Sequence, residues 1–143
     1  MRVYVDTSAL FALYENHPKT YLVQASVSGA KIVISRITLL EFRSTVYKAV
    51  RSGKLKVSQA RALVDAFRRD INRYILEEVK VPFWQTAWEL IENHGSTVNL
   101  RSLDALHLAA ALKSGESQPI SAFVTLDGGL TSAAKKCGFT VRP

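Results

Sequence analysis

The sequence predicts an α/β protein with a central, mostly parallel sheet of about five strands and helices on both faces. Three observations carry this. The apolar pattern switches repeatedly between a strand-like period of about two residues and a helical one of about 3.6. The strand-like runs, Val3-Tyr4-Val5, Ile32-Val33-Ile34 and Ala122-Phe123-Val124, are short and continuously apolar, as strands buried on both faces are. Helix-length stretches separate them, which is the spacing of parallel crossovers.

In chain order, Arg2 to Asp6 is the first strand, and Thr7 or Ser8 is placed to cap a helix over Ala9 to Tyr14. His17-Pro18 ends that helix, and Tyr21 to Val27 reads as another. After Gly29, Lys31 to Ser35 is a buried type of strand. A long helix from Thr38 to about Arg51 stops at Ser52-Gly53. Ser58 is positioned to cap a second long helix reaching about Tyr74. Ile75 to Val79 has strand composition, and Pro82 suits the first turn of a helix running to His94-Gly95. Beyond the polar stretch Ser96 to Leu100, a very apolar helix covers Ser102 to Lys113. Ala122 to Leu126 is a strand, Leu130 to Lys136 a helix, and Phe139 to Arg142 a last strand. There is no repeat, low-complexity segment or linker, so residues 1–143 read as a single domain.

Composition narrows the class. Hydrophobic residues make up 48% and charged residues 22%, which is enough apolar material to build a core rather than a disordered chain. The lone Cys137 permits no internal disulfide and fits a reducing compartment. No apolar run approaches the roughly 20 residues of a membrane span. Met1-Arg2 leads into a strand rather than a signal peptide, so the expectation is a soluble cytoplasmic protein with no membrane association.

The net charge of +7 is concentrated. Residues 36 to 73 hold ten basic residues against three acidic ones, while the remainder balances. A basic helical stretch is often only a solvated face, since Lys and Arg favour helices. It is also what a wall facing a polyanion looks like.

Four acids stand apart from that pattern. Asp6 and Asp127 follow strands, Asp104 falls in the first turn of its helix, and Glu41 follows the second strand among Leu39, Leu40 and Phe42. Ligand sites of parallel sheets lie at the carboxyl ends of the strands, where all four are expected. Singly, each has a plain reading. Asp6 suits a helix cap, Asp104 a partner for a helix dipole, Glu41 an ion pair with Arg36 or Arg101, and Asp127 before Gly128-Gly129 a turn. Jointly they would repel, at about 1 kcal/mol per pair ~4 Å apart in water and about 4 at an effective dielectric of 20. A hard divalent cation removes that cost.

These residues carry a family resemblance. Val-Tyr-Val-Asp-Thr-Ser-Ala-Leu, the isolated Glu41, Leu-Arg-Ser-Leu-Asp-Ala-Leu-His-Leu-Ala and Phe-Val-Thr-Leu-Asp resemble the PIN-domain ribonucleases, in particular VapC-type toxins of prokaryotic toxin–antitoxin pairs. The likeness runs from residue 3 to about 140, in order. It implies a PIN-like α/β/α fold in three layers. It also implies that Asp6, Glu41, Asp104 and Asp127 hold Mg²⁺ or Mn²⁺, with Ser8 and Thr125 as hydroxyl neighbours of the metal or its water. The activity so implied is hydrolysis of RNA phosphodiester bonds by metal-activated water, attacking in line. The partners implied are an RNA substrate, a cognate antitoxin protein of a type II pair, and a second copy in a homodimer. At Gly128-Gly129 the sequence departs from its relatives, which are more often polar or basic there.

Other classes fit less well. A haloacid-dehalogenase-like phosphatase would want an aspartate where Ser8 stands, and a receiver domain would want an acidic pair after the first strand. No glycine-rich phosphate loop follows any strand. A PIN nuclease of RNA processing or quality control, or a non-catalytic RNA- or protein-binding module with the acids as caps, remains as an alternative. His107, three residues after Asp104 but among Ala105, Leu106, Leu108 and Ala109, reads as a packed core histidine. Tyr47, Phe67 and Tyr74 likewise read as core, and Val46, Val50, Leu63 and Phe67 serve core or interface equally.

Overall fold

The computed structural model describes residues 1–143. Five parallel strands form one sheet: β1 (Arg2–Val5), β2 (Lys31–Ser35), β3 (Ile75–Glu77), β4 (Ala122–Val124) and β5 (Val141–Arg142), in the spatial order β3-β2-β1-β4-β5. Tyr4 lies between Val33 of β2 and Phe123 of β4, which fixes the register at the centre. The chain builds outward from β1 to β2 and β3, then returns to add β4 and β5 on the other side. The order therefore reverses beside β1, and the crevice at the carboxyl ends of β1 and β4 is the place where such sheets bind ligands.

Strand alternation divides the apolar side chains into two cores. Val3, Val5, Ile34 and Val124 face α1 (Thr7–Ala12), α2 (Thr20–Val27), α3 (Ile37–Arg51) and α4 (Val57–Asp70). Tyr4, Val33 and Phe123 face α5 (Val81–His94), α6 (Ser102–Ser117) and α7 (Gly128–Lys136). On the first face the rings of Phe42 and Phe67 meet at 4.2 Å and join α3 to α4. On the second, the small Ala105, Ala109, Ala110 and Ala111 let α6 lie close under α5. The result is the expected three-layer α/β/α arrangement. No helix is long and apolar enough to cross a membrane.

Several local expectations shift. Asp6, not Thr7 or Ser8, caps α1, because the strand ends at Val5 and the Asp6 carboxylate accepts the Ala9 N–H. Lys56 occupies the cap position of α4, where its own N–H is taken by Gln59 Oε1, and Ser58 lies inside the first turn. A short 3₁₀ turn over Ile71–Arg73 separates α4 from β3. The outer strands are shorter than their apolar runs, and α6 continues past Lys113 to Ser117. Of the aromatics read as core, Phe67 is fully buried and Tyr74 partly so, but Tyr47 is exposed. Val46 and Phe67 belong to the core, with Val50 and Leu63 packed at its margin.

Candidate active site

Three of the four acids sit where backbone N–H groups converge. Asp6 caps α1, Asp127 caps α7 by accepting the Leu130 N–H at 2.8 Å, and Asp104 lies in the first turn of α6. Each carboxylate thus meets the positive end of a helix. The cap reading of Asp6 and the dipole reading of Asp104 hold. Asp127 caps α7, which begins at Gly128 where the sequence predicts a turn, and none of this competes with a shared site. All four acids line one cavity of about 370 Å³, together with Thr7, Ser8, Phe11, His17, Thr45, Arg101, His107 and Leu126.

Asp6 is the most deeply set of them, 4% exposed. Ser8 Oγ and Thr125 Oγ1 both donate to it at 2.9 Å. The same two hydroxyls accept the N–H groups of Leu126 and Asp127, so they tie the end of β1 to the segment after β4. Burial pushes the Asp6 carboxyl above its ordinary value, against the lowering effects of His107, the Ala9 N–H and the two hydroxyls.

Glu41, the fifth residue of α3, has no helix end to lean on. Its partners are neither Arg36, which pairs with Glu78, nor a direct contact to Arg101. Instead Thr7 Oγ1 donates to Glu41 Oε2, and His107 Nε2 lies 2.6 Å from the same oxygen. A carboxylate only accepts, so Nε2 carries the proton. Nδ1 in turn meets the Tyr4 hydroxyl at 2.8 Å. Burial and the nearby acids push the Tyr4 phenol well above its usual value, so it remains protonated. At Glu41 itself burial acts upward, but His107, Thr7 and Arg101 outweigh it and hold the carboxyl below its ordinary value. His107 is therefore a buried, hydrogen-bonded histidine, as its apolar neighbours imply, and it also forms a wall of the cavity.

Arg101 joins the remaining pair. Its Nε lies 2.8 Å from Asp104 Oδ2 and one terminal nitrogen 3.0 Å from Asp127 Oδ2, while the side chain is 65% exposed. With Arg101 drawing on two acids and His107 and Thr7 on a third, no three acidic, histidine or cysteine side chains close into a tight cluster. The donor chemistry nevertheless suits a hard divalent cation: carboxylate oxygens from four segments, no thiolate, and an open, polar cavity. Thr7 and His17 enter the site without a sequence signal that set them apart from ordinary loop and cap residues, and Arg101, expected as a partner of Glu41, pairs with Asp104 and Asp127 instead.

Gly129 has a specific place here. A Cβ on it would lie 2.8 Å from the Asn99 carbonyl oxygen and 3.2 Å from Asp127 Oδ1. The departure at Gly128-Gly129 is thus a close approach of backbone to the Asp127 carboxylate, whereas at Gly128 nothing lies within 4 Å.

Sheet order, crossover pattern and an acid-lined cavity at the switch point define a PIN fold, and the PIN domain family model matches residues 3–136. The chain belongs to the PIN-domain family, on its VapC-type branch. It is 32% identical over 142 residues to Ribonuclease VapC47 of Mycobacterium tuberculosis, an alignment covering 96% of this chain and 93% of that protein. In fold it is similar to M. tuberculosis VapC20, described as a Sarcin-Ricin loop cleaving toxin, with a TM-score of 0.71, 23% identity and 99% coverage of both chains. A toxin-antitoxin complex from Klebsiella pneumoniae aligns with a TM-score of 0.58 and 14% identity over 87% of this chain and 86% of its own.

Proposed function

We propose that this chain is an endoribonuclease dependent on Mg²⁺ or Mn²⁺ and acts as the toxin of a type II toxin–antitoxin pair in the cytoplasm. The observation that carries the reading is the convergence of Asp6, Glu41, Asp104 and Asp127, from four separate segments, on one cavity at the carboxyl edge of the sheet. Its likeness to Ribonuclease VapC47 supports RNA as the substrate, and the toxin-antitoxin complex among its structural neighbours supports an antitoxin as partner. The exposed Val81, Trp84 and Trp88 of α5 offer an apolar face for assembly, in keeping with a homodimer.

In this reading the four acids are the metal ligands. Bound by their oxygens, a divalent cation would supply the charge that makes water nucleophilic near neutral pH and would offset charge on the scissile phosphate. The chain does the positioning. Ser8 and Thr125 fix both oxygens of Asp6, so this carboxylate has little freedom to turn. Thr7 and His107 occupy one oxygen of Glu41 and leave the other without a hydrogen-bond partner. Arg101 holds Asp104 and Asp127 in register and keeps their mutual repulsion low. On the α3 side, a groove lined by Lys48 and Lys54, with one acid, Glu15, shares Phe11 and Thr45 with the acidic cavity and offers a path for flanking phosphates.

The test is cleavage of a mixed panel of tRNA, rRNA and single-stranded RNA, in Mg²⁺ or Mn²⁺ against EDTA, with Asp104→Asn as control. Metal-dependent cutting that falls at least 100-fold in the variant is the expected result. Cutting that persists in EDTA would overturn the mechanism. RNA binding by the parent that is indifferent both to metal and to Asp104→Asn would point to a binding module.

A further inference from the structure

A second cavity, of about 320 Å³, adjoins the acidic one across Leu126, which lines both. Its other walls are Lys19, Thr125, Gly128, Thr131, Lys135, Val141, Arg142 and Pro143. Three cationic side chains line it and no acidic side chain does. None of Lys19, Lys135 and Arg142 belongs to an ion pair, a property they share with most of the 19 basic residues; what sets them apart is that they line one cavity beside the acids. Three positive side chains around one hollow give it a local potential that favours an anion.

The placement relative to the acids is specific. The Arg142 carbonyl accepts the Thr125 N–H at 3.0 Å, and the Thr125 hydroxyl donates to Asp6. Arg142, Thr125 and Asp6 thus step across β5, β4 and β1, about 5 Å per strand and about 10 Å in all. The loop ahead of α2 spans both hollows, with His17 in the acidic cavity and Lys19 in the basic one. The Lys48 and Lys54 groove is walled by α1 and by α3, the helix that follows β2, and shares no residue with the basic cavity. A chain of phosphates entering along α3 and passing the acids would leave over the β4–β5 edge.

We propose that the cavity lined by Lys19, Lys135 and Arg142 binds a backbone phosphate of single-stranded RNA, on the side of the scissile bond away from α3. This rests on the ribonuclease reading and extends it: cations on both flanks of an acidic centre make an RNA track that crosses the whole carboxyl edge of the sheet. The side chains of Lys135 and Arg142 bond to none of the four acids, so they act on substrate affinity and not on the chemical step.

The experiment compares Lys135→Ala/Arg142→Ala with Lys31→Ala, a charge lost at the opposite, amino edge of the sheet, where β2 begins. Binding of a short labelled single-stranded RNA is read in the Asp104→Asn background over a salt series, and cleavage is read with the acids intact. The expected result is a three- to tenfold weaker Kd and a log–log salt slope shallower by about 0.7 for each lost phosphate contact. KM should rise with kcat retained, and Lys135→Arg/Arg142→Lys should restore binding. If the double variant matches Lys31→Ala while the parent still cuts RNA, the subsite is wrong and the ribonuclease reading stands. If the variant keeps its RNA affinity but loses binding to poly-glutamate, the cavity takes an acidic protein segment, which also overturns the proposal. A parent that neither binds nor cuts RNA sinks both.

Discussion

Asp6 bears the largest burial of any acid in the cavity, and this has a measurable sign. Its carboxyl is raised above the ordinary 3.8, chiefly by desolvation, so the folded protein holds the proton more readily than the unfolded chain does. Ionised Asp6 therefore costs stability at neutral pH, a cost that disappears as the pH falls through the raised value and the carboxyl takes up its proton. In EDTA, Asp6→Asn is expected to melt higher than the parent at pH 7, with the gap closing toward acid. A variant that melts lower at pH 7 would mean that the Ser8, Thr125 and Ala9 contacts outweigh burial. Glu41 behaves oppositely: its carboxyl is depressed, so its contribution is present above the unfolded value and lost as the pH falls through the folded one. The identity of the four acids was readable because their local signals, strand ends and helix starts, lie within a few residues. What held them was not readable. Glu41 finds His107, 66 positions away, and Arg101 reaches Asp127, 26 positions away, and no local pattern encodes either pairing.

At the scale of elements, α7 shows how a helix start is adapted to the cavity. Its first two residues are glycines, of which only the second is confined, between the Asn99 carbonyl and the Asp127 carboxylate. Gly129→Ala should cost about 1–3 kcal/mol by forcing the backbone apart and should weaken Mn²⁺ binding as Asp127 moves. Gly128→Ala should do neither. Thermal melts with and without Mn²⁺ on the two variants test this, and equal behaviour would remove the close approach as the reason for the glycine pair. The strands and the long helices followed from period and composition, because both faces of a parallel sheet demand apolar runs that few other folds need. Helix starts were less legible. Ser58 and Thr7 have the chemistry of caps, but Gln59 reaching back to Lys56, and a strand that ends one residue early at Val5, move each boundary. Charge counts misled in a similar way. Outside residues 36–73 the balance is neutral, yet Lys19, Lys135 and Arg142 gather at one corner that an average cannot reveal.

For the whole molecule, the proposed cation is a ligand of the native state alone, because the four acids converge only when the sheet is assembled. Millimolar Mn²⁺ should therefore raise the melting temperature, by the equivalent of about 2.7 kcal/mol at a hundred times Kd. Arg101→Gln should melt lower in EDTA and respond more strongly to Mn²⁺, since two carboxylates then lack their internal counter-ion. Titration by calorimetry would read the same effect as tighter binding, up to about tenfold, or ~1.4 kcal/mol. An unchanged Mn²⁺ response would show that the arginine does not compete. One feature of the topology reaches beyond the finished molecule. β1 and β4, the first and the next-to-last strands, are neighbours at the centre of the sheet, and Thr125 joins them at Asp6. A chain still being synthesised has Asp6 and Glu41 early, but Thr125 and Asp127 only more than eighty residues later. Until the segment through Asp127 has been made and β4 has paired with β1, a nascent polypeptide has no complete acidic centre.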